Sequence, residues 1–385
     1  MNRFPARAIS LGVAVVWLTC LGHAQEERVS AAASQPSADQ PYPRVSCGEW
    51  PKDRGKEGRC DIETENTTWE LGYFREGKEK RSLKNVVKNL IVVFHPDGYS
   101  HRIHEWWDSM VGPGKALDTD RWVILSLATL GDGKPQKGAP LLLTADEMLS
   151  CQTGVVDFLY PKSKAIVGGP SRGGQIAIHW ALRNPERIEG LFLVNVHGYS
   201  QIEEKPILSY LESIEVAERS QGPYVNWSTE RKGDWWKPAS RLYVGISYTD
   251  EYFKQPRFMV EVGKKPEEYR DAKTSFDLTV TSWNDFFRDF VDPHWFLAQV
   301  STLDRATDAL GDDDFSKLPK KILLAWNPDD KTVLQKDVAR FSNLLKKQGK
   351  RVIERGIADP RGHMACCSVE MPQDTQSAIR AFLKD

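Results

Sequence analysis

Hydrophobic and polar positions follow two rhythms along this chain. Short uninterrupted apolar runs occur at Asn89–Phe94, Trp122–Leu127, Ala165–Gly168, Leu191–Val196 and Lys321–Trp326. Runs of this length, closed by turn residues, predict strands buried on both faces. Between them, at Thr144–Leu159, Gln175–Asn184 and Lys336–Gln348, apolar residues recur with helical spacing. A further strand-like segment follows at Arg351–Ile357. Buried strands alternating with helices predict an α/β fold, a mostly parallel sheet with helices on both faces. Residues 200–314 break the alternation: they are rich in aromatic and charged residues, with helix-like stretches at Pro206–Arg219 and Ser282–Asp308. An inserted helical cap accounts for this interval. The organisation expected is therefore core at 44–199, cap at 200–314 and core again at 315–385.

The N-terminus has a different character. Arg3 and Arg7 precede an apolar stretch, Ile9–Leu21, and Gly22-His23-Ala24 supplies small residues near a cleavage point. This is the pattern of a secretory signal over residues 1–24. The apolar stretch is too short to span a bilayer comfortably, so the mature chain is expected in the periplasm or outside the cell, with no membrane partner. Residues 25–43, rich in Ser, Ala, Gln and Pro, look like a flexible leader.

Charge narrows the partners. With 52 basic and 53 acidic residues the formal net charge is −1, which offers no field for nucleic acid or an anionic surface. Export gives the cysteines meaning: Cys47 and Cys60 bracket a short polar loop and are expected to form a disulfide. Cys151 could pair with Cys366 or Cys367, and spacing does not choose between them. No C-x-x-C pair exists, so metal binding by these cysteines is not expected; no cofactor is expected either.

Chemistry concentrates at one turn. Ile166-Val167-Gly168-Gly169-Pro170-Ser171-Arg172-Gly173-Gly174 joins a strand directly to a helix. Such a G-x-S-x-G turn holds a serine in a strained conformation with its hydroxyl presented as a nucleophile. A serine needs a base, and the base needs an orienting acid, here in the chain order Ser, Asp, His. His363, in Asp359-Pro360-Arg361-Gly362-His363, is the base expected. The acid should follow the strand Lys321–Trp326, where Asp329 and Asp330 both stand; Asp330 is favoured, with Val333 as its apolar anchor. An oxyanion site needs two converging N–H donors. The amide of Arg172 is one; because Pro96 has no N–H, the amide of Asp97 is the other, its side chain turned away. His95 is expected to be structural. His101 and His104 stand beside Trp106-Trp107, where packing explains them better than metal binding does.

A family resemblance joins these pieces. Trp106-Trp107, Val111-Gly112-Pro113-Gly114, Leu117-Asp118-Thr119 and the strand Trp122–Leu127 are similar to the homoserine O-acetyltransferase family of α/β-hydrolases. Thr144-Ala145-Asp146-Glu147-Met148 with Gln152, the serine turn, Trp180 and the segment around Phe290 to Asp308 extend the likeness over about residues 85 to 385. The resemblance implies the α/β-hydrolase fold with a cap, Ser171, Asp330 and His363 as triad, ping-pong acyl transfer and a homodimer. Three features depart from it. Met364 stands where the family has an aspartate resembling the partner of the substrate amine. Pro170 and Arg172 stand where the family has small or Met-like residues, and Arg172 suggests an anionic acyl group. Export removes the protein from acyl-CoA. The expectation is thus an exported serine esterase cleaving a small acyl ester. The alternative is an O-acyltransferase of the family type. A silent binding scaffold is a third class, disfavoured because all three triad residue types are present.

Overall fold

The structure, a computed structural model, describes residues 44–49, 57–64, 68–129, 144–200, 205–254 and 274–384. The signal-like and leader segments, 1–43, lie outside them. Among the described residues the main sheet has nine strands: β1 (Arg44–Glu49), β2 (Glu57–Glu63), β3 (Thr68–Glu76), β4 (Leu90–Phe94), β5 (Val123–Leu127), β6 (Ala165–Pro170), β7 (Ile188–Val194), β8 (Lys321–Trp326) and β9 (Arg351–Gly356). Their order in space is β1-β2-β3-β5-β4-β6-β7-β8-β9. From β5 to β9 all pairings are parallel. The first three strands pair antiparallel, and β3 joins β5 antiparallel.

The five apolar runs became the central strands because both of their faces are covered. Leu90, Val92 and Phe94 of β4 face one core cluster, with Ile176, Ala177 and Trp180 of α2 (Ser171–Arg183) and Val155 of α1 (Ala145–Leu159). Ile91 and Val93 face the other, with Trp106, Trp107 and the late residues Ile379 and Phe382. The antiparallel strands β1 to β3 were not expected from the sequence. Burial alternates along β2, where Cys60 and Ile62 are buried and Arg59 and Asp61 exposed, because one side faces solvent; no apolar run marks such a strand.

The insertion between β7 and β8 is helical where it is described: α3 (Lys205–Leu211), α4 (Ile214–Gln221), α5 (Thr229–Ser247), α6 (Asp250–Lys254), α7 (Ser275–Phe290) and α8 (Pro293–Asp308). It has a small core of its own, in which the Trp236 ring stacks on Phe287 at 5.0 Å. The stretch Ser282–Asp308, expected as one helix, is two. Asp292 caps α8 by accepting from the amides of His294 and Trp295, and Pro293 occupies its first position; proline is tolerated there and breaks a helix interior. Two more helices complete the core, α9 (Gln335–Lys347) and α10 (Gln373–Lys384). Among the described residues no helix is long and apolar enough to cross a membrane.

Cys47 and Cys60 are directly opposite in β1 and β2 and are disulfide-bonded. The other pairing considered does not form. Cys151 is a buried thiol in one core cluster, whereas Cys366 and Cys367 lie in the other, with the sheet between.

Candidate active site

Ser171 begins α2 immediately after β6. Its φ is +48°, a left-handed conformation that is costly for a residue with a Cβ and persists only where surroundings enforce it. The enforcement is close packing. A Cβ on Gly173 would lie 2.1 Å from the Phe94 carbonyl oxygen and 2.7 Å from that of His95. Helix α2 therefore starts pressed against the end of β4.

The structure brings Ser171, His363 and Asp330 together. Ser171 Oγ lies 2.8 Å from His363 Nε2, and His363 Nδ1 lies 2.7 Å from Asp330 Oδ2. All three are buried, and the Asp330 side chain has no exposed surface. Its other oxygen accepts from the amides of Thr332 (2.7 Å) and Val333 (2.9 Å). These two donors fix the direction of the carboxylate. Asp329 is exposed and its amide bonds to Asn327 Oδ1; it has no bond to His363.

Two residues that the sequence reading missed hold the histidine loop. Asn195, at the end of β7 with φ +49°, directs its amide nitrogen at the carbonyls of Gly362 (3.4 Å) and His363 (3.3 Å). Its Oδ1 accepts from the Asn327 amide at 2.9 Å. Asn327, after β8, donates to the carbonyls of Asp359 (2.6 Å) and Gly362 (3.1 Å). The ends of two strands are thus tied to the loop carrying His363. A polar residue ending an apolar run was the available signal, and it is a weak one.

The start of the loop after β4 is held at His95 and at Asp97. His95 accepts from the Thr129 amide through Nε2 (3.1 Å), so its Nδ1 carries the proton toward the Pro96 carbonyl at 2.8 Å. The Asp97 carboxylate accepts from Arg172 Nε at 3.1 Å. The first N–H groups of a helix have no intrahelical partner, so the Arg172 amide, opening α2, is suited to an anion. The Arg172 side chain is not set out for an anionic acyl group: Asp97 and Asp304 pair with it and Gln175 accepts from it. Two carboxylates against one guanidinium leave this cluster negative.

Above Asp97 is a small cavity of about 30 Å³, lined by Leu208, Trp236, Tyr243, Phe287 and Phe296, among others. Among the described residues, Asp97 is the one charged residue on its wall. Tyr243 also donates to the Met364 sulfur at 3.5 Å, so an apolar contact occupies the place after the histidine. His104 lies elsewhere, between Glu76 (2.9 Å) and Asp108 (2.7 Å). Among the described residues no cluster of His, Cys, Asp or Glu is arranged to hold a metal ion.

Comparison with known proteins bears on the fold. In the solved structures, homoserine O-acetyltransferase from Bacillus anthracis superposes with a TM-score of 0.68 at 19% identity, covering 89% of this chain and 98% of that one. An acetylester hydrolase from Corynebacterium glutamicum superposes with 0.67 at 16% identity, covering 87% and 98%. The chain has the α/β-hydrolase fold and resembles the homoserine O-acyltransferases. Homoserine O-succinyltransferase of Cupriavidus metallidurans is 32% identical over 256 residues, 58% of this chain and 63% of the relative. Homoserine O-acetyltransferase of Mycobacterium ulcerans is 27% identical over 182 residues, 41% of this chain and 45% of the relative. The aligned stretches thus span less than two thirds of these curated relatives. No family model matches the chain.

Proposed function

We propose that this protein is an exported serine esterase that cleaves a small, uncharged acyl ester through an acyl-Ser171 intermediate. His363 takes the Ser171 proton as the hydroxyl attacks the ester carbonyl, and it returns that proton to the departing alcohol. Asp330 holds the imidazole in the tautomer this requires and stabilises its cation. The amides of Arg172 and Asp97 receive the oxyanion. Water, deprotonated by His363, then attacks the acyl carbon, and Ser171 leaves with its proton restored.

The single observation that carries the reading is the unbroken bonding from Ser171 Oγ through His363 to Asp330, behind a serine held at positive φ. Hydrolysis is preferred to transfer onto homoserine because Met364, buried against Tyr243, offers no charge for an ammonium group. A substrate cation without that charge-assisted contact binds weakly. The signal-like N-terminus favours a periplasmic or secreted site, with a small-molecule ester as partner. The names of the curated relatives favour a second reading, ping-pong acyl transfer to an alcohol.

One experiment separates the two. The mature protein and Ser171→Ala receive a short-chain nitrophenyl ester with and without homoserine, and free acid and acylated homoserine are both measured. Ser171-dependent acid release, indifferent to homoserine, is the expected result. Acylated homoserine as the main product would replace hydrolysis with transfer.

A further inference from the structure

The Arg172 side chain is only 5% exposed, and its guanidinium joins three segments. Its Nε donates to Asp97 at 3.1 Å; its Nη1 donates to Gln175 at 2.6 Å and to Asp304 at 2.7 Å. Asp97 belongs to the loop after β4, Gln175 to the first turns of α2, and Asp304 to α8, which returns the chain to the core. A buried cation requires such partners. A second buried carboxylate beside a forming oxyanion is, on charge alone, unfavourable, and this needs a reason.

The reason lies in where the two oxyanion donors come from. One is the main-chain N–H of Arg172 and the other the main-chain N–H of Asp97, on separate segments. The side chain of the first holds the side chain of the second. His95 secures the start of the loop, and the Arg172 contact holds it at Asp97, two residues on. Asp304 draws the guanidinium into this orientation from the opposite side. We infer that Arg172 and Asp304 are positioning residues, which hold the Asp97 amide at its working distance from the Arg172 amide. Oxyanion stabilisation is thereby coupled to the seating of α8. The inference rests on the proposed role of Ser171.

Field and position predict opposite signs, which makes the test sharp. Asp304→Asn removes a negative charge; acting by field, it would speed formation of the oxyanion. Acting by position, it loosens the Asp97 loop and slows it, since a misplacement of about 1 Å costs on the order of 100-fold. Full-length wild type, Asp304→Asn, Asp304→Glu, Arg172→Lys and Ser171→Ala are compared. The readouts are phosphonylation rate with a neutral aryl phosphonate, nitrophenyl ester kinetics per reactive serine, and thermal midpoint.

The expected result is a fall of about 10- to 30-fold for Asp304→Asn in kcat and in phosphonylation rate, with KM within about threefold. Arg172→Lys, which keeps the charge but cannot fork among three acceptors, should lose about 100-fold. Asp304→Glu should retain more rate than Asp304→Asn. An unchanged or faster Asp304→Asn overturns the inference. So does a lowered thermal midpoint with normal rate per reactive serine, which marks a purely structural pair. If Asp304→Asn does not fold, Arg172→Lys decides on the same criteria. Equal labelling of wild type and Ser171→Ala, or none of either, removes the nucleophile reading and this inference with it.

Discussion

The serine and the histidine of this site are held in opposite ways. Ser171 is placed by its neighbours in sequence: β6, the turn and α2 are contiguous, and the glycines that permit the close approach lie within three residues of it. His363 is placed by distant parts. Asn195 and Asn327 reach its loop from sequence separations of up to 168 residues. The cap helix α5 adds a wall, since a Cβ on Gly362 would meet the Ser247 carbonyl oxygen at 2.9 Å. One half of the relay is local geometry and the other is assembly. The first should survive change elsewhere in the fold; the second should not.

The largest expected effect ignores this difference, because both halves must work together. Ser171→Ala and His363→Ala should each reduce kcat by about 10⁴- to 10⁶-fold, and the double variant should be scarcely worse. Asp330→Asn should cost less, about 10²- to 10⁴-fold, by supporting the wrong imidazole tautomer. Ester hydrolysis by purified, folded variants measures all four. If the double loss is the product of the single losses, the residues do not act as a unit.

The same contrast explains what could be read from the sequence. The five central strands were legible because burial on both faces leaves a continuous apolar run. Ser171 was legible because glycine and serine chemistry is confined to one turn. His363 and Asp330 could be named only by chain order and loop position, and Asp330 was preferred to its neighbour Asp329 only through the apolar Val333 three residues on. The asparagine braces were not legible. Nothing local distinguishes Asn195 or Asn327 from a polar residue ending a strand; their meaning lies in three segments meeting. The antiparallel strands β1 to β3 escaped for another reason, since a half-exposed strand dilutes its apolar residues with charge.

Asn195→Ala is the variant that probes assembly. It removes the acceptor of the Asn327 amide and the donor to the Gly362 and His363 carbonyls. Buried groups left unsatisfied cost about 1–3 kcal/mol, and a displaced base costs rate. A fall in kcat of about 10- to 100-fold is expected, with KM nearly unchanged. Asn327→Ala should do the same, and the double variant should be less than additive because they share one network. Additive losses would mean that each asparagine holds the loop separately.

A pH series separates the two halves again, through stability rather than rate. His179 lies on α2, buried, 2.8 Å from Thr307 Oγ1, and burial pushes it down from 6.5 to about 4. Between these values the unfolded chain binds a proton that the folded chain does not. Stability therefore falls as pH drops from about 6.5 to about 4, by up to about 3 kcal/mol. His179→Gln should flatten the dependence of thermal midpoint on pH over that range and leave the pH dependence of kcat where it is in wild type. A pH dependence of kcat that moves with His179→Gln would show that unfolding limits activity in acid.

The smallest expected effect is the most exacting test of assembly. Asp329 is adjacent to Asp330 and carries the same group, yet it is exposed, and its link to the braces is its own amide on Asn327. That contact uses main chain, which Asp329→Asn leaves intact. Activity should stay within about twofold of wild type, and stability within about 0.5 kcal/mol, as for an ordinary surface substitution. Measured beside Asp330→Asn, it asks whether one residue of displacement along a loop is enough to take a carboxylate out of the chemistry. A loss comparable to that of Asp330→Asn would mean that the loop turns in solution to present Asp329 to His363. The amides of Thr332 and Val333 would then not be what orients the acid.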